Sequence, residues 1–536
     1  MAKQLIAQPL PNFGVNGLNT QSNPNSLDPS YLTSADNIVL RESGRISFRK
    51  GLKQKVVPSG TAINSIVEHD DQGTNKIFAS HGTSIYTIDF TSPNAAFPSS
   101  GADVKHTVAN STGDWQFINF NNRLTCLHTG IVPQRYDGSA SGGSKWAAFD
   151  NATRPPTVST GEFKPSCGAG AYGRMWVGGV AEEKDVLHYS ALLDSDDYTT
   201  SSGGGSIDLK KVWDKDDIIA IAPFYGQLAV FGKNNIALYE SPDVIGNIKL
   251  NEVIKGIGCI ARDSVQAIGD DLVFLSNTGL RSLARTSEKD KVPLTDISKN
   301  IKDTIIRNIG VSDLTDVRSV YVENEGIYIL SFTDKNINYV FDFKHFTPNG
   351  EPRITTWTFD NDREPTSMCY TETYGYLTGQ KDGGIAGYEG YFDTDLAWVS
   401  SAASYTNSGI TADVSSIWIP LSQGMVASLL KRMILVLEGG SGATLGLRWY
   451  KDFGVVSSDT TQISLRPATT GTTALYGNAA SLYGASKYSP IYGLQEYSTP
   501  LTGSAKTLKL NMSIVSNGYN TSIQDLSILH LQGKIR

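Results

Sequence analysis

The sequence predicts an all-β chain, a β-propeller followed by a C-terminal antiparallel β-sandwich-like domain. Three observations point there. A strand–turn repeat of about fifty residues runs through the middle, the composition is rich in Gly and Tyr but poor in charge, and the repeat stops near residue 395.

The 536 residues include 52 Gly and 24 Tyr, with only 18% charged. Gly supplies the positive φ that tight turns need, and Tyr suits a half-buried pleated surface. A hydrophobic share of 40% is enough for a sizeable core, and the length suits two or three domains. The strongest apolar run, 433–437, is strand-sized, so no membrane segment is expected. Residues 1–9 lack the continuous apolar core of a secretory signal. Cys126, Cys167, Cys259 and Cys369 stand singly, which suits free thiols in a reducing cytoplasm better than a disulfide framework or a zinc site.

Seven copies of the repeat align on Ile77, Leu124, Met175, Leu228, Leu272, Ile327 and Tyr376, at spacings of 47, 51, 53, 44, 55 and 49. The clearest copy is 225–239, a turn at Tyr225-Gly226, an alternating strand, a turn at Lys233-Asn234-Asn235 and a second strand ending on Tyr239. Four-stranded propeller blades produce a β repeat of this length, because each blade must bury its faces against its neighbours. The count gives seven blades, or six if a terminal unit is displaced. A pair of β-sandwiches is the competing reading, and the long regular period favours the propeller. The expected boundaries are an N-terminal strand region at 1–60 that closes or flanks the propeller, the propeller at 61–395, and the C-terminal domain at 396–536.

One segment breaks the β pattern. After Pro293, with Thr295 as N-cap, Ile297, Ile301, Ile305 and Ile309 recur every four residues and define one helix face. Beyond 395, strands are expected near 416–421, 430–437, 444–449, 506–515 and 523–531. The stretch 475–497, rich in Tyr, Gly, Ser and Asn, reads as a long loop. Its tyrosines, Tyr476, Tyr483, Tyr488, Tyr492 and Tyr497, are candidate partner contacts, since loops of this composition favour binding surfaces.

Residue chemistry offers no catalytic constellation. The seven histidines stand alone, and no Walker loop, dinucleotide fingerprint or nucleophile elbow is present. No cofactor is expected. Asp194, Asp196 and Asp197, and Asp214, Asp216 and Asp217, form two acidic clusters that could hold a hard cation but lack EF-hand order, so solvated turns are expected. Glu182-Glu183 would serve a glycosidase only if two carboxyls faced across a cleft, and no catalytic role is assigned.

Charge is unevenly spread. Residues 1–60 carry +4 and 396–536 carry +4, leaving −15 on 61–395. An acidic middle argues against tight wrapping of nucleic acid. In the basic N-terminal stretch, Arg41, Arg45 and Arg49 would share one face of a strand, a candidate basic contact face.

That stretch also carries a resemblance. Gly17-Leu18-Asn19, then 35–41 and 44–51, resemble the opening of podophage tail nozzle proteins, called tail tubular protein B or packaged-DNA stabilisation protein. The runs 219–239 and 263–283, and the ending near Leu526-Ser527-Ile528-Leu529, are similar too. The resemblance implies a non-enzymatic virion protein assembled in the bacterial cytoplasm as a ring, usually a hexamer. It implies an adaptor ring above, attached fibres or spikes, and DNA passing through the lumen without sequence recognition. The acidic middle would then line a tube that repels phosphates. The alternative readings are a glycan-binding or glycan-cleaving phage propeller and a host propeller scaffold.

Overall fold

A computed structural model describes residues 5–41, 45–90, 96–98, 101, 104–111, 113–140, 145–213, 215–284, 296–359, 363–391, 409–421, 426–439, 443–457, 459–465, 494–516, 518 and 520–532. The chain divides into two compact units. One comprises Gln54–Asn338 and Asn361–Gly387; the other comprises Met1–Lys53, Tyr339–Asp360 and Tyr388–Arg536.

The first unit is the propeller. Its blades are antiparallel meanders in sequence order. The first is Ile63–Asp71, Thr74–His81, Ser84–Ile88 and Lys105–Thr107, and the second is Gln116–Phe120, Arg123–His128, Ile131–Asp137 and Trp146–Ala148. Cys167–Ala171, Arg174–Gly178, Val186–Tyr189 and Gly205–Asp208 form the third, and Ile218–Phe224, Gln227–Gly232, Asn235–Glu240 and Lys249–Lys255 the fourth. A three-stranded blade follows, Gln266–Ile268, Asp271–Ser276 and Gly279–Ser282, and then the hairpin Val317–Val322 and Ile327–Phe332. The last blade is Pro365–Thr371, Gly375–Gln380 and Ile385–Tyr388, completed by Leu52–Val56 from the other end of the chain. The seven repeats thus resolve, among the described residues, into six separate blade sheets and the pair Val317–Val322 and Ile327–Phe332, which belongs to a larger sheet that continues through Ile337–Phe346.

All seven alignment residues lie in the second strand of their unit, and all are buried. Burial follows because the second strand faces an adjacent blade on each side. Phe78, Trp115, Leu124, Tyr136 and Trp146 form one core between the first two blades, and Phe231, Phe274, Leu272 and Leu283 belong to another between the fourth and fifth. Removing one such side chain from water contributes about 1.5–3 kcal/mol. Several first-to-second-strand turns have positive φ at two residues in a row, as at Gln72–Gly73, Tyr172–Gly173 and Tyr225–Gly226. That is the two-residue geometry whose twist matches a hairpin. The ring closes where Thr366 Oγ1 and Ser367 Oγ of the last blade donate to Ile63 O of the first, at 2.7 and 2.9 Å.

The second unit is a pair of mainly antiparallel sheets. One runs Leu494–Pro500, Ser428–Gly439, Thr521–Leu531, Ile46–Phe48, Ile38–Leu40, with Leu5–Pro9 also paired to Thr521–Leu531. In the other, Tyr31–Asp36, Thr411–Ser416, Thr507–Val515, Thr444–Lys451 and Asp459–Ser464 are successive neighbours. Gly17–Leu18 runs parallel to Tyr31–Asp36 and to Pro352–Trp357. At Gly17 φ is +74°, and an added Cβ would meet Ile354 O at 2.5 Å, so only glycine fits that approach. The sandwich-like domain expected from 396–536 therefore also contains the N-terminal strands and 339–360.

The isoleucine helix begins later than its spacing suggests. The α-helix is Lys302–Val311, preceded by a 3-10 turn at Lys299–Ile301, so Ile297 lies before it. Ile297, Ile301 and Ile305 are nonetheless all buried, and Ile309 is half-buried. Asp296 bridges back to Arg281 at the end of the fifth blade, which holds the chain out of helical geometry there. Thr295 lies outside the described residues.

Candidate functional site

The propeller axis is occupied by charge. Asp114 precedes the inner strand Gln116–Phe120, Arg262 and Asp263 form the turn before Gln266–Ile268, and Arg318 is the second residue of Val317–Val322. The four side chains therefore converge from the starts of three inner strands. Arg262 Nε lies 2.7 Å from Asp263 Oδ1, and its Nη2 pairs with Asp114. Arg318 Nη2 is 3.2 Å from Asp114 Oδ1 and Nη1 is 3.3 Å from Asp263 Oδ2. Two neighbouring blades are tied in as well: Ser65 Oγ donates to Asp114 Oδ1 at 3.0 Å, and Arg262 Nη1 donates to Ser166 O at 3.0 Å. Ser319 Oγ donates to Asp263 O at 2.6 Å.

A cavity of about 270 Å³ opens beside this cluster, lined by Ser65, Trp115, Gln116, Phe117, Arg262 and Arg318 among others. Burial pushes the Asp114 carboxyl up to about 6, against the pull of Arg262. Burial works the same way on Asp263, but Arg262 and Arg318 outweigh it and hold that carboxyl at about 2. The two carboxylates and two guanidiniums neutralise each other, and nearby thiols are inert, Cys167 being raised by burial to about 12 and Cys259 to about 11. Chemically the cluster can hold blades together and exchange one proton at Asp114. It presents no activated nucleophile.

The repeat contained a signal for this cluster. Asp114 and Arg262 each lie ten residues before an alignment residue, Leu124 and Leu272, and Arg318 lies nine before Ile327. Equivalent positions in different blades meet at the axis, so opposite charges at one repeat position mark an axial ion pair.

The candidate basic face does not form. The chain reverses between Ile38–Leu40 and Ile46–Phe48, which pair antiparallel, so Arg41, Arg45 and Arg49 are not on one strand. Arg41 donates to Tyr391 Oη at 2.6 Å, and Arg45 pairs with Glu438 at 3.2 Å. Arg49 is buried: Nε donates to Asn37 Oδ1 at 2.8 Å, Nη2 to Thr358 O at 3.1 Å, and the guanidinium lies 4.7 Å from the Phe359 ring centroid. It is a core arginine, satisfied by carbonyls and an aromatic face.

Of the five tyrosines, Tyr476, Tyr483, Tyr488 and Tyr492 lie outside the described residues. Tyr497 belongs to the strand Leu494–Pro500, opposite Leu435, with its ring buried and its hydroxyl donating to Gln495 Oε1 at 2.6 Å. The loop expected there has given way to a strand at its end. Strand pairing and not propensity decides this, because the inward residues Gln495, Tyr497 and Thr499 show no apolar alternation.

The acidic clusters are spoken for. Asp196 pairs with Arg135, and Asp194 with Arg123 at 3.4 Å. Asp216 accepts from Lys233 N, Asn234 N and Asn235 Nδ2 at 2.8–2.9 Å, closing the turn after Gln227–Gly232. Asp214 lies outside the described residues, among which no group of carboxylates, His or Cys could hold a metal ion. Glu182 accepts from Ser159 N at 2.9 Å, and Glu183 lies 3.4 Å from His188. Cys126, Cys167, Cys259 and Cys369 are all free. No helix among the described residues is long and apolar enough to cross a membrane.

No protein-family model matches the chain, and no curated protein matches it. Among solved structures it is similar to the Cps50 (Swd1) β-propeller domain of Myceliophteria thermophila, with 9% identity over 63% of this chain and 98% of that one and a TM-score of 0.38. It is also similar to the Pan2 WD40 domain of Neurospora crassa, with 6% identity over 64% and 97% and a TM-score of 0.38. A third likeness is to PorZ, a surface component of the type-IX secretion system of Porphyromonas gingivalis. It has 10% identity over 71% of this chain and 44% of PorZ, with a TM-score of 0.33. Identities and scores this low carry no argument about activity or partners.

Proposed function

We propose that the chain is a structural virion protein, the nozzle subunit at the distal end of a short phage tail, and not an enzyme. The observation that carries this reading is the adjacency of the resembling segments. The stretch 44–51 and the ending at 526–529 lie at opposite ends of the sequence, yet Ile46–Phe48 pairs with Thr521–Leu531 at Ser47↔Ser522 and Ile46↔Ile523. Segments that resemble one family and meet in one sheet are what a shared structural platform requires, whereas chance similarity of turn-rich sequence has no reason to converge.

In this role six copies form a ring below an adaptor ring, carry fibres or spikes, and retain DNA until ejection. The duplex cannot use the propeller's own axis, which the Arg–Asp cluster crosses beside a cavity of about 270 Å³. The ejection channel therefore lies between subunits. Acidic propellers lining it would repel phosphates over roughly 8–10 Å at physiological salt and let DNA slide. The protein acts in the virion tail after assembly in the bacterial cytoplasm.

Mass measurement of the purified tail, with electron microscopy of its tip, tests the reading. Six copies in a terminal ring are expected. One copy per tail, or a free monomer that binds host polysaccharide with no ring, would replace it with the glycan-recognition alternative.

A further inference from the structure

Two rigid apolar features stand in solvent on this chain. The first lies on the propeller face where first strands turn into second strands. Leu192 and Leu193 are 59% and 57% exposed, Tyr225 is 65% exposed and Val244 48%. These residues occupy neighbouring loops of the third and fourth blades, since an added Cβ on Gly173 would meet Leu192 Cδ1 at 3.0 Å and Tyr172 Oη donates to Gln227 O at 2.8 Å. Leu193 is held at a φ of +57°, with its carbonyl accepting from Asn121 Nδ2 at 2.7 Å. A leucine fixed in the left-handed region and facing water is a costly arrangement, and such strain is characteristic of contact sites.

The second feature is the tip of the hairpin joining Thr444–Lys451 to Asp459–Ser464. Phe453 is 52% exposed, Val455 94% and Val456 78%. The tip does not hang freely. Asp452 Oδ1 accepts from Lys506 N and Thr507 N at 2.7 and 3.0 Å, and the Phe453 ring packs edge-on against Trp418 at 5.0 Å. Single exposed apolar residues are ordinary, but two adjacent valines on a braced tip are a knob without a hole.

Charge indicates what each feature would meet. The propeller unit carries 28 Lys/Arg against 38 Asp/Glu, a net −10, while the other unit carries 18 against 15, a net +3. Locally, Asp243, Asp270 and Asp271 act on the tyrosines around the patch, whereas at the tip Lys451 and Lys506 are balanced by Asp452 and Asp459, so the attraction is between the units' net charges.

We propose that the Phe453–Val456 tip of one copy docks on the Leu192/Leu193/Tyr225 patch of a second copy. Patch and tip are different surfaces, so the contact is head-to-tail, the kind that closes into a ring when the rotation permits. The proposal rests on the ring reading above and names the contact that would build it.

The test uses the full chain in two single variants, Val455→Cys and Leu193→Cys, mixed under mild oxidation. Cys126, Cys167 and Cys259 are buried and Cys369 is partly so, which makes unmodified chain the control. A disulfide-linked pair containing one chain of each variant is expected from the mixture, and none from either variant alone. Rings that form without the mixed disulfide, or Val455→Cys dimerising by itself, overturn the contact. Independently, the double variant Val455→Ser/Val456→Ser should lower the association constant at least about tenfold in sedimentation, with its thermal transition unchanged. Rings of unaltered affinity would sink the contact but leave the ring reading standing. Wild-type chain that stays monomeric alone and on isolated tails would remove both. If the double variant instead loses binding to phosphatidylcholine/phosphatidylglycerol vesicles while association is unchanged, the tip is a lipid contact and the proposal is wrong.

Discussion

In the propeller every blade strand except Leu52–Val56 pairs with the strand before or after it in sequence. Ile218–Phe224 turns through Tyr225–Gly226 and pairs at once with Gln227–Gly232. In the other unit Leu5–Pro9 pairs with Thr521–Leu531, so Leu5 meets Leu531. The first architecture is assembled from local hairpins closed once into a ring, and the second from pairings that span the chain. Two arginines repeat the contrast in their chemistry. Arg262 is held by carboxylates and ties blades together, whereas Arg49 is held by neutral oxygens and a ring within its own unit. Local pairing tolerates loss of a distant segment, and long-range pairing does not.

The largest expected effect breaks the long-range unit alone. Deleting 516–536 removes Thr521–Leu531, which pairs with Ser428–Gly439, Leu5–Pro9 and Ile46–Phe48. That unit should lose its cooperative transition in calorimetry while the propeller keeps its own. Simultaneous loss of both transitions would refute the separation. Next, Arg262→Ala leaves Asp114 and Asp263 with one arginine between them, and breaking a buried pair costs about 3–5 kcal/mol. Urea unfolding should lose that much from the propeller transition only. Arg49→Ala should cost less, about 1.5–3 kcal/mol, since it removes hydrogen bonds between a charged group and neutral oxygens. That loss should appear in the other unit's transition.

A pH comparison sharpens the axial cluster further. Asp114 binds its proton more readily when folded, at about 6 against an ordinary 3.8, so its contribution is full below about pH 4 and is lost as pH rises through 6. Asp263 behaves oppositely, contributing above 3.8 and losing that as pH falls toward 2. The stability difference between wild type and Asp114→Asn should therefore fall from pH 4 to 6. Taking the difference matters because His188, lowered by burial to about 4, changes in the opposite sense over the same range. A flat difference would mean that Asp114 stays ionised. The smallest effect is Gln72→Asn, which gives the Gln72–Gly73 turn the Asn-Gly pair its positive φ angles favour. A gain of about 0.5 kcal/mol in the propeller transition is expected, as for other turn residues matched to their backbone.

The same contrast explains what could be read from residues alone. Leu228 and Leu272 head strands whose turns and alternation lie within a dozen residues, so the blade repeat is visible in the string. The strands around Met433 and Leu510 were also legible, because their alternation is carried by apolar side chains. Nothing local indicates that Leu52–Val56 completes the last blade, or that 339–360 belongs with the chain ends. Arg49 was misread because its charge suggests solvent, while its burial depends on Thr358 and Phe359, some three hundred residues away. The axial cluster lay between these cases. Its members are far apart in sequence but occupy equivalent repeat positions, so charge at those positions was a usable signal that apolar periodicity hid.

The pairing of Leu5–Pro9 with Thr521–Leu531 also imposes an order in time. At about 5–20 residues per second of translation, the first strand leaves the ribosome roughly half a minute to two minutes before its partner exists. Through that interval its backbone N–H and C=O groups have no ladder to join, and such an open edge invites pairing with another nascent chain. The propeller, whose last strands end at Tyr388, can close well before the final strand is made. A finished ring of blades would then travel beside an unfinished sheet until termination, so chaperone demand should fall on the ends of this polypeptide and not on its middle.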